Sequence, residues 1–313
     1  MNGKINNLSQ VCSVSRYTLS EGTEKGLDII DCQNGKIRFL LNASKALDIP
    51  YLYHQGQNIS FISKNGLTAR EIPFLNRFEG GMLYTCGLDS VGGRDGFELH
   101  GTHHNTPAKI TKMECTEQGI TIQAEVYETA LFGKNLLFKR KVFLGAESEK
   151  LEIFDSITNL GYKEENYCLL YHVNVGYPML DCGDKIVIDA ESIKPRTPFA
   201  KENISDMFDI TDCVDNQDEM CYFIKAKTPF ATLNNEKIGK KFTLSWSKDT
   251  LPEFVEWKSM GSGDYALGLE PCTTELDDGF TYKTIKPQET INFYLSIEVN
   301  KFSHNYSKKL TEN

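Results

Sequence analysis

Four short stretches of this chain combine residue types that can move protons or bind hydroxyl groups. In Leu170-Tyr171-His172-Val173-Asn174 an imidazole and a carboxamide stand two residues apart inside an apolar run. On a strand both would face the same side, and a polar pair on an apolar face costs free energy unless something polar meets it. A core histidine with a satisfied ring is the plainer alternative. In Tyr265-Ala266-Leu267-Gly268-Leu269-Glu270-Pro271 an apolar run ends in a carboxylate. Pro271 is expected to stop the strand and leave Glu270 at its rim, either as a solvent-facing acid or as a general base beside a cleft. Asn76-Arg77-Phe78-Glu79-Gly80-Gly81 reads as a strand-turn segment. Its guanidinium offers several N–H groups to sugar hydroxyls or carboxylates, or simply pairs with Glu79.

The fourth stretch, Leu99-His100-Gly101-Thr102-His103-His104, holds three of the six histidines. Read as extended chain, it turns His100 and His104 to one face and His103 to the other. That argues against a metal centre, which needs three or four ligands converging on one ion. No metal is expected, and His103 and His104 are expected to be structural or surface residues. Gly101 allows backbone or ligand to come close to His100. Other motifs fail: Gly87 to Arg94 has P-loop-like glycines without the Lys-Ser/Thr end, and neither a GxGxxG nor a GxSxG stands in a suitable setting. Nucleotide-dependent redox enzymes, kinases and α/β-hydrolases are thereby disfavoured.

The elements that must position these residues are strands. Ile291, Phe293, Leu295, Ile297 and Val299 alternate with polar residues, as do Ile120, Ile122, Ala124 and Val126, so each strand has one buried and one wet face. Further strands are expected at 136–144, 150–158, 167–175, 184–189, 220–226, 241–247 and 265–269. Turn signals such as Asn34-Gly35, Asn65-Gly66, Asn159-Leu160-Gly161 and Asp278-Gly279 separate strands. The fold class expected is all-β, a large antiparallel sandwich or barrel, with residues 1–313 as a single domain. The less regular, Asp-rich stretch 195–217 is either a solvated loop or a lid over a site.

A formal net charge of −9, with one short basic run at Lys139-Arg140-Lys141, disfavours nucleic acid and anionic bilayers as partners. The N-terminus, from Met1 to Asn7, has no apolar core of a leader, and no stretch approaches a membrane span. Nine scattered cysteines without a CxxC pair suggest reduced thiols, hence a cytoplasmic location.

Taken in order, the four stretches resemble the galactose mutarotase (aldose 1-epimerase) superfamily. The likeness is carried by Asn76-Arg77, Leu99-His100-Gly101, His172 with Asn174, and Glu270. Thr85-Cys86-Gly87-Leu88, His172 to Pro178, Trp257-Lys258 and Gly268-Leu269-Glu270-Pro271 resemble a bacterial branch of it. The resemblance implies the β-supersandwich fold and mutarotation: general acid/base opening of a sugar ring and reclosure as the other anomer, without cofactor or metal. It implies Glu270 as general base and His172 as general acid, with Arg77, His100, Asn174, Trp257 and Lys258 binding substrate and Trp257 offering an aromatic platform. An exposed Glu, with an ordinary pKa of about 4.3, would already be ionised at neutral pH. The Asp that galactose mutarotases place ahead of the Glu has three candidates here, Asp209, Asp212 and Trp257-Lys258, and the segment from His172 to Glu270 is shorter. The partner implied is a small-molecule sugar, and the protein is expected as a monomer or homodimer.

Two other readings stay open on the same scaffold. A non-catalytic carbohydrate-binding protein would keep Arg77, His100 and Trp257 without needing Glu270 opposite His172. A C–H epimerase or lyase would need a stronger base, for which Tyr171, Lys258 or the three clustered histidines could serve.

Overall fold

The computed structural model describes residues 3–301; Met1, Asn2 and residues 302–313, the ends of the expected domain and leader reading, lie outside the described residues. Five strands form a first, small sheet in chain order: β1 (Ser13–Thr18), β2 (Asp28–Gln33), β3 (Ile37–Asn42), β4 (Leu52–His54) and β5 (Gln57–Asn58). The others are β6 (Tyr84–Leu88), β7 (Lys109–Thr116), β8 (Gly119–Thr129), β9 (Asn135–Gly145), β10 (Lys150–Asn159) and β11 (Glu165–Gly176), then β12 (Lys185–Pro195), β13 (Met220–Asn235), β14 (Lys240–Trp246), β15 (Glu253–Gly261), β16 (Asp264–Cys272), β17 (Lys283–Ile285) and β18 (Thr290–Lys301). They make one antiparallel sheet of 13 strands, ordered β17-β11-β16-β15-β13-β14-β18-β10-β9-β8-β7, with β12 on β13 and β6 on β11.

Strand β13 joins the two halves of this sheet. Its residues Met220 to Ile224 pair with β15, whereas Phe230 to Asn235 pair with β14. Between the halves lies the main core. Ile120, Ile122, Ala124 and Val126 of β8, Leu136 and Phe138 of β9 and Ile153 and Ile157 of β10 share one cluster with Val173 and Val175 of β11 and Leu267 and Leu269 of β16. The alternation legible in the sequence is therefore the alternation that buries one face of each strand.

On its other face, the half formed by β6, β11, β16, β15 and β13 carries a second apolar cluster. It includes Tyr84, Cys86, Cys168, Leu170, Cys221, Phe223, Val255 and Cys272. His172 and Glu270 lie on this same face, because they alternate with the core-facing Val173 and Leu269.

Two expectations change. Pro271 does not end its strand: β16 continues to Cys272, with Pro271 across from Phe254. Residues 195–217 are partly ordered, holding α2 (Pro198–Glu202) and a 3₁₀ turn at Ile204–Asp206. Among the described residues, no helix is long and apolar enough to cross a membrane.

Candidate active site

The register that joins Leu170 to Cys272 and Val173 to Leu269 puts His172 across from Glu270 on neighbouring strands. His172 Nε2 is 3.2 Å from Glu270 Oε1. Both side chains are buried, at 5% and 2% exposure, so Glu270 is not the solvent-facing acid its position before Pro271 suggests. The strand runs on past Glu270 to Cys272. Burial pushes Glu270 well above the ordinary carboxyl range, with Glu219 adding to it and Arg196 opposing it. Burial likewise pushes His172 down to about 3, helped by His100 and opposed by Asn174. Both shifts favour the neutral forms, a carboxyl beside an uncharged imidazole. The water-exposed Glu270 of the sequence expectation is replaced by a buried one.

Three polar atoms of this group are buried and without a hydrogen-bond partner: Glu270 Oε1, His172 Nδ1 and Asn174 Oδ1. Oε1 is close to Nε2 but not aligned for a hydrogen bond, and such orphaned groups are rare in native interiors. Gly268 makes the approach possible. A Cβ on it would stand 2.5 Å from Glu270 Oε1, 3.1 Å from His172 Cε1 and 3.2 Å from Trp257 Cβ. A glycine in a strand interior is a signal of close approach, and here it could have been read from the sequence.

Aromatic and basic groups surround the pair. The rings of Phe78, Trp257 and His100 lie 5.3, 5.4 and 5.7 Å from the His172 ring. Trp257 is half-buried and its indole N–H donates to Glu219 Oε2 at 2.7 Å. His100 is partly accessible, and its Nδ1 accepts from the Gly92 N–H at 3.4 Å. Burial and, second, the charge of Arg196 push its pKa down to about 4. Its neutral Nε2 is therefore the protonated nitrogen, a donor.

Arg77 ends the short helix α1 (Phe74–Arg77), not a strand-turn, and the flanking Phe74 and Phe78 touch His100 and His172. Its side chain is nine-tenths buried, with Nη2 3.2 Å from Glu98 Oε1. Nε and Nη2 nevertheless have no hydrogen-bond partner. The structure thus brings Glu270, His172, His100 and Trp257 together, with Arg77 on the adjoining turn.

Three expectations are corrected. Lys258 does not face the pair. As the neighbour of Trp257 on β15 it points to the opposite face, fully buried, with Nζ donating to the carbonyls of Asp206, Met207 and Asp209 at 3.1, 2.8 and 3.0 Å. It anchors the 195–217 stretch instead of binding substrate. Asn174 is fully buried and donates to the Gly81 and His172 carbonyls, so it braces the backbone and does not present its amide to a cleft. The histidine-rich stretch is not extended either: His100 has φ +63° and His103–Asn105 is a 3₁₀ turn. Gly101 packs against the backbone of Gly87 and Ser90 and the carboxylate of Asp89, which is the close approach its type allows.

His103 and His104 are buried in carboxylate pairs, at 2.9 Å from Glu128 and 2.6 Å from Asp48. Of the proposed stand-ins for the superfamily Asp, Asp209 pairs with Lys185 at the surface. Sequence reading gave no site role to Gly268, Phe78 or Glu219.

Residues 24–299 match the family described as Domain of unknown function (DUF4432). A search of curated proteins finds no significant match. Among solved structures, the chain is similar to a protein of Klebsiella pneumoniae provisionally named an aldose 1-epimerase, with TM-score 0.85 and 20% identity over 93% of this chain and 84% of that one. It is similar to a galactose mutarotase-like protein from Clostridium acetobutylicum, with TM-score 0.70 and 14% identity over 93% and 99%. It is also similar to a provisionally named mutarotase from Salmonella typhimurium, with TM-score 0.68 and 12% identity over 95% and 96%. These likenesses establish the all-β, galactose mutarotase-like fold expected from the sequence. By its sequence, the chain is a member of the DUF4432 family.

Proposed function

We propose that the protein is a mutarotase: it opens the ring of a reducing sugar and recloses it as the other anomer. The observation that carries this reading is the His172–Glu270 pair, two buried groups with opposed pKa shifts and unsatisfied atoms, 3.2 Å apart on one sheet face. Paired groups whose environments push their pKa values apart are suited to acid and base roles.

Ring opening removes a proton from the anomeric hydroxyl and delivers one to the ring oxygen; closure reverses both transfers. The pair needs one proton for this and regains it each cycle. Glu270 as carboxyl with neutral His172, or carboxylate with imidazolium, is the same macroscopic protonation state. Either tautomer turns the sugar over, and the sugar's own hydroxyls meet the unpartnered Glu270 Oε1. Neutral His100 donates to a ring or hydroxyl oxygen, Arg77 holds a distal oxygen through its free N–H groups, and Trp257 and Phe78 meet the C–H face of the sugar.

A C–H epimerase or lyase is less well supported, since four of its five candidate bases, Tyr171, Lys258, His103 and His104, are engaged elsewhere. Tyr171 donates to Asp155 at 2.8 Å and Lys258 is held by backbone carbonyls. We place the protein in the cytoplasm, with a small sugar as partner and no cofactor.

The test is the decay of optical rotation from pure α anomers across a panel of aldoses, uronic acids and sugar phosphates. Acceleration of at least one sugar above the buffer rate is expected. Saturable binding without acceleration of any would replace the enzyme with a carbohydrate-binding protein.

A further inference from the structure

Arg196 plays no part in the reading above, yet it stands beside the reacting pair. Its backbone N–H donates to the Cys221 carbonyl at 2.8 Å, one step beyond the Pro195–Tyr222 pairing of β12 with β13. Cys221 lies across from Trp257, Trp257 from Gly268, and Gly268 from Asn174. Cys221, Trp257, Gly268 and Asn174 therefore form one row across four strands, which Arg196, just past the end of β12, extends. The next row on the same face runs Phe223, Val255, Glu270 and His172.

The guanidinium is fixed from outside the row. Nε and Nη2 donate to the two carboxylate oxygens of Asp277 at 2.5 and 2.8 Å, a fork-to-fork pair that orients as well as attracts. Asp277 sits in the 3₁₀ turn that follows β16, at φ +54°. The clamp leaves Nη1 outside it, on a half-buried side chain that also meets the Cys221 thiol and whose charge acts on both Glu270 and His100.

We propose, resting on the mutarotase reading, that Arg196 is a specificity-determining residue: held by Asp277 and flanked by the Cys221 thiol, its guanidinium edge outside the clamp binds one hydroxyl oxygen of the sugar on the sheet face that carries Glu270. Arg196 has a second effect, because its charge favours the carboxylate of Glu270. The other ionisable groups acting on Glu270 or feeling its charge are His172 on β11, Glu219 ahead of β13, and the thiols of Cys86 on β6, Cys221 on β13 and Cys272 on β16.

The test compares Arg196→Met, Arg196→Lys and Asp277→Asn with the wild type on the best sugar and on its singly deoxygenated analogues. Circular dichroism and the melting temperature establish that each variant is folded. For the parent sugar, Arg196→Met is expected to raise KM by roughly 10- to 100-fold, the size of a lost charged hydrogen bond, with a smaller change in kcat. For the analogue lacking the contacted hydroxyl, KM should be the same in wild type and Arg196→Met. Arg196→Lys should recover part of the loss, and Asp277→Asn should cost less than Arg196→Met. The alkaline limb of kcat/KM should move to higher pH in Arg196→Met. Equal losses with the parent and every deoxy analogue, or no loss at all, would overturn the proposal. If the wild type accelerates no sugar, the mutarotase reading fails by itself. The deoxy series is then read as binding, by saturation-transfer NMR, with the same pattern supporting or overturning Arg196 as the hydroxyl-reading residue.

Discussion

Two buried polar groups lie on opposite faces of β11, and they are built differently. On the core side, Arg140 of β9 is bidentate to Asp155 of β10 and donates to Asp48 at 2.5 Å and to Thr85 at 2.9 Å. Tyr171 and His104 complete the network through Asp155 and Asp48. Burial alone would raise the pKa of Asp48, but the hydrogen bond from His104 and the charge of Arg140 outweigh it and hold it below the usual range. On the other side, His172 and Glu270 face one another with unpartnered atoms and pKa values displaced toward their neutral forms. Both groups pay for desolvation, but only the first recovers it within the fold. Buried polar groups left unsatisfied by their own chain, with pKa values displaced beside them, are candidates for a functional site.

The sharpest way to break the comparison is to exchange the two groups' consequences. His172→Gln should lower kcat/KM for the accelerated sugar by about 10²- to 10⁴-fold, the usual worth of an acid–base group, while the fold persists. Rotation-decay assays beside melting curves read both. Arg140→Met should do the reverse. It leaves two buried carboxylates without their cation and should cost about 3 to 5 kcal/mol of stability in denaturant titration. If Arg140→Met is neutral, the network is not the structural anchor described.

A smaller effect is expected at Gly268. The added methyl group of Gly268→Ala must displace the Glu270 carboxylate, so kcat should fall on the order of 10-fold or more, with stability reduced by no more than about 1 to 3 kcal/mol. A kcat equal to wild type would mean that the observed approach of Glu270 to His172 is not the working one.

The smallest effect is in the pH dependence of stability. His172 and His100, at about 3 and about 4 in the folded chain, lie below the unfolded value of about 6.5. The unfolded chain then binds more protons across that interval, so stability should fall as pH drops from about 6.5 toward 4. Glu270 and Glu79, the latter raised to about 8, act oppositely: the folded chain keeps their protons, and stability should be lost as pH rises from about 4.5 through their folded values. Glu79→Gln should flatten the alkaline part of a melting-temperature profile. An unchanged profile would mean that Glu79 is not held protonated.

Much of this was legible beforehand. Strands whose one face is buried announce themselves by alternation, and the expected 136–144, 150–158, 167–175 and 290–300 lie inside β9, β10, β11 and β18. Glu270 and His172 stand out in the sequence because their types suit the chemistry and their order resembles that of the superfamily, and the register sets them side by side. Lys258 was assigned against a rule the sequence already contained: neighbours on one strand cannot both face a cleft, and Trp257 takes that face. The burial of Glu270 was not legible, since Pro271 suggested a strand end. His100 was placed on a strand although its backbone is left-handed, a conformation that no residue pattern nearby announces. The place of Arg196 on the face of His172 and Glu270 is not legible in the sequence, because it depends on a cross-strand row that only the register reveals.

The central claim is that the polar cost buried at His172 and Glu270 is kept for catalysis and not for stability. Its most direct measurement takes Glu270→Gln and records anomer exchange by two-dimensional exchange NMR together with the melting temperature at neutral pH. The account predicts that catalysed exchange drops at least about 100-fold while the melting temperature stays the same or rises. Exchange at the wild-type rate, or a melting temperature that collapses as in Arg140→Met, would contradict it.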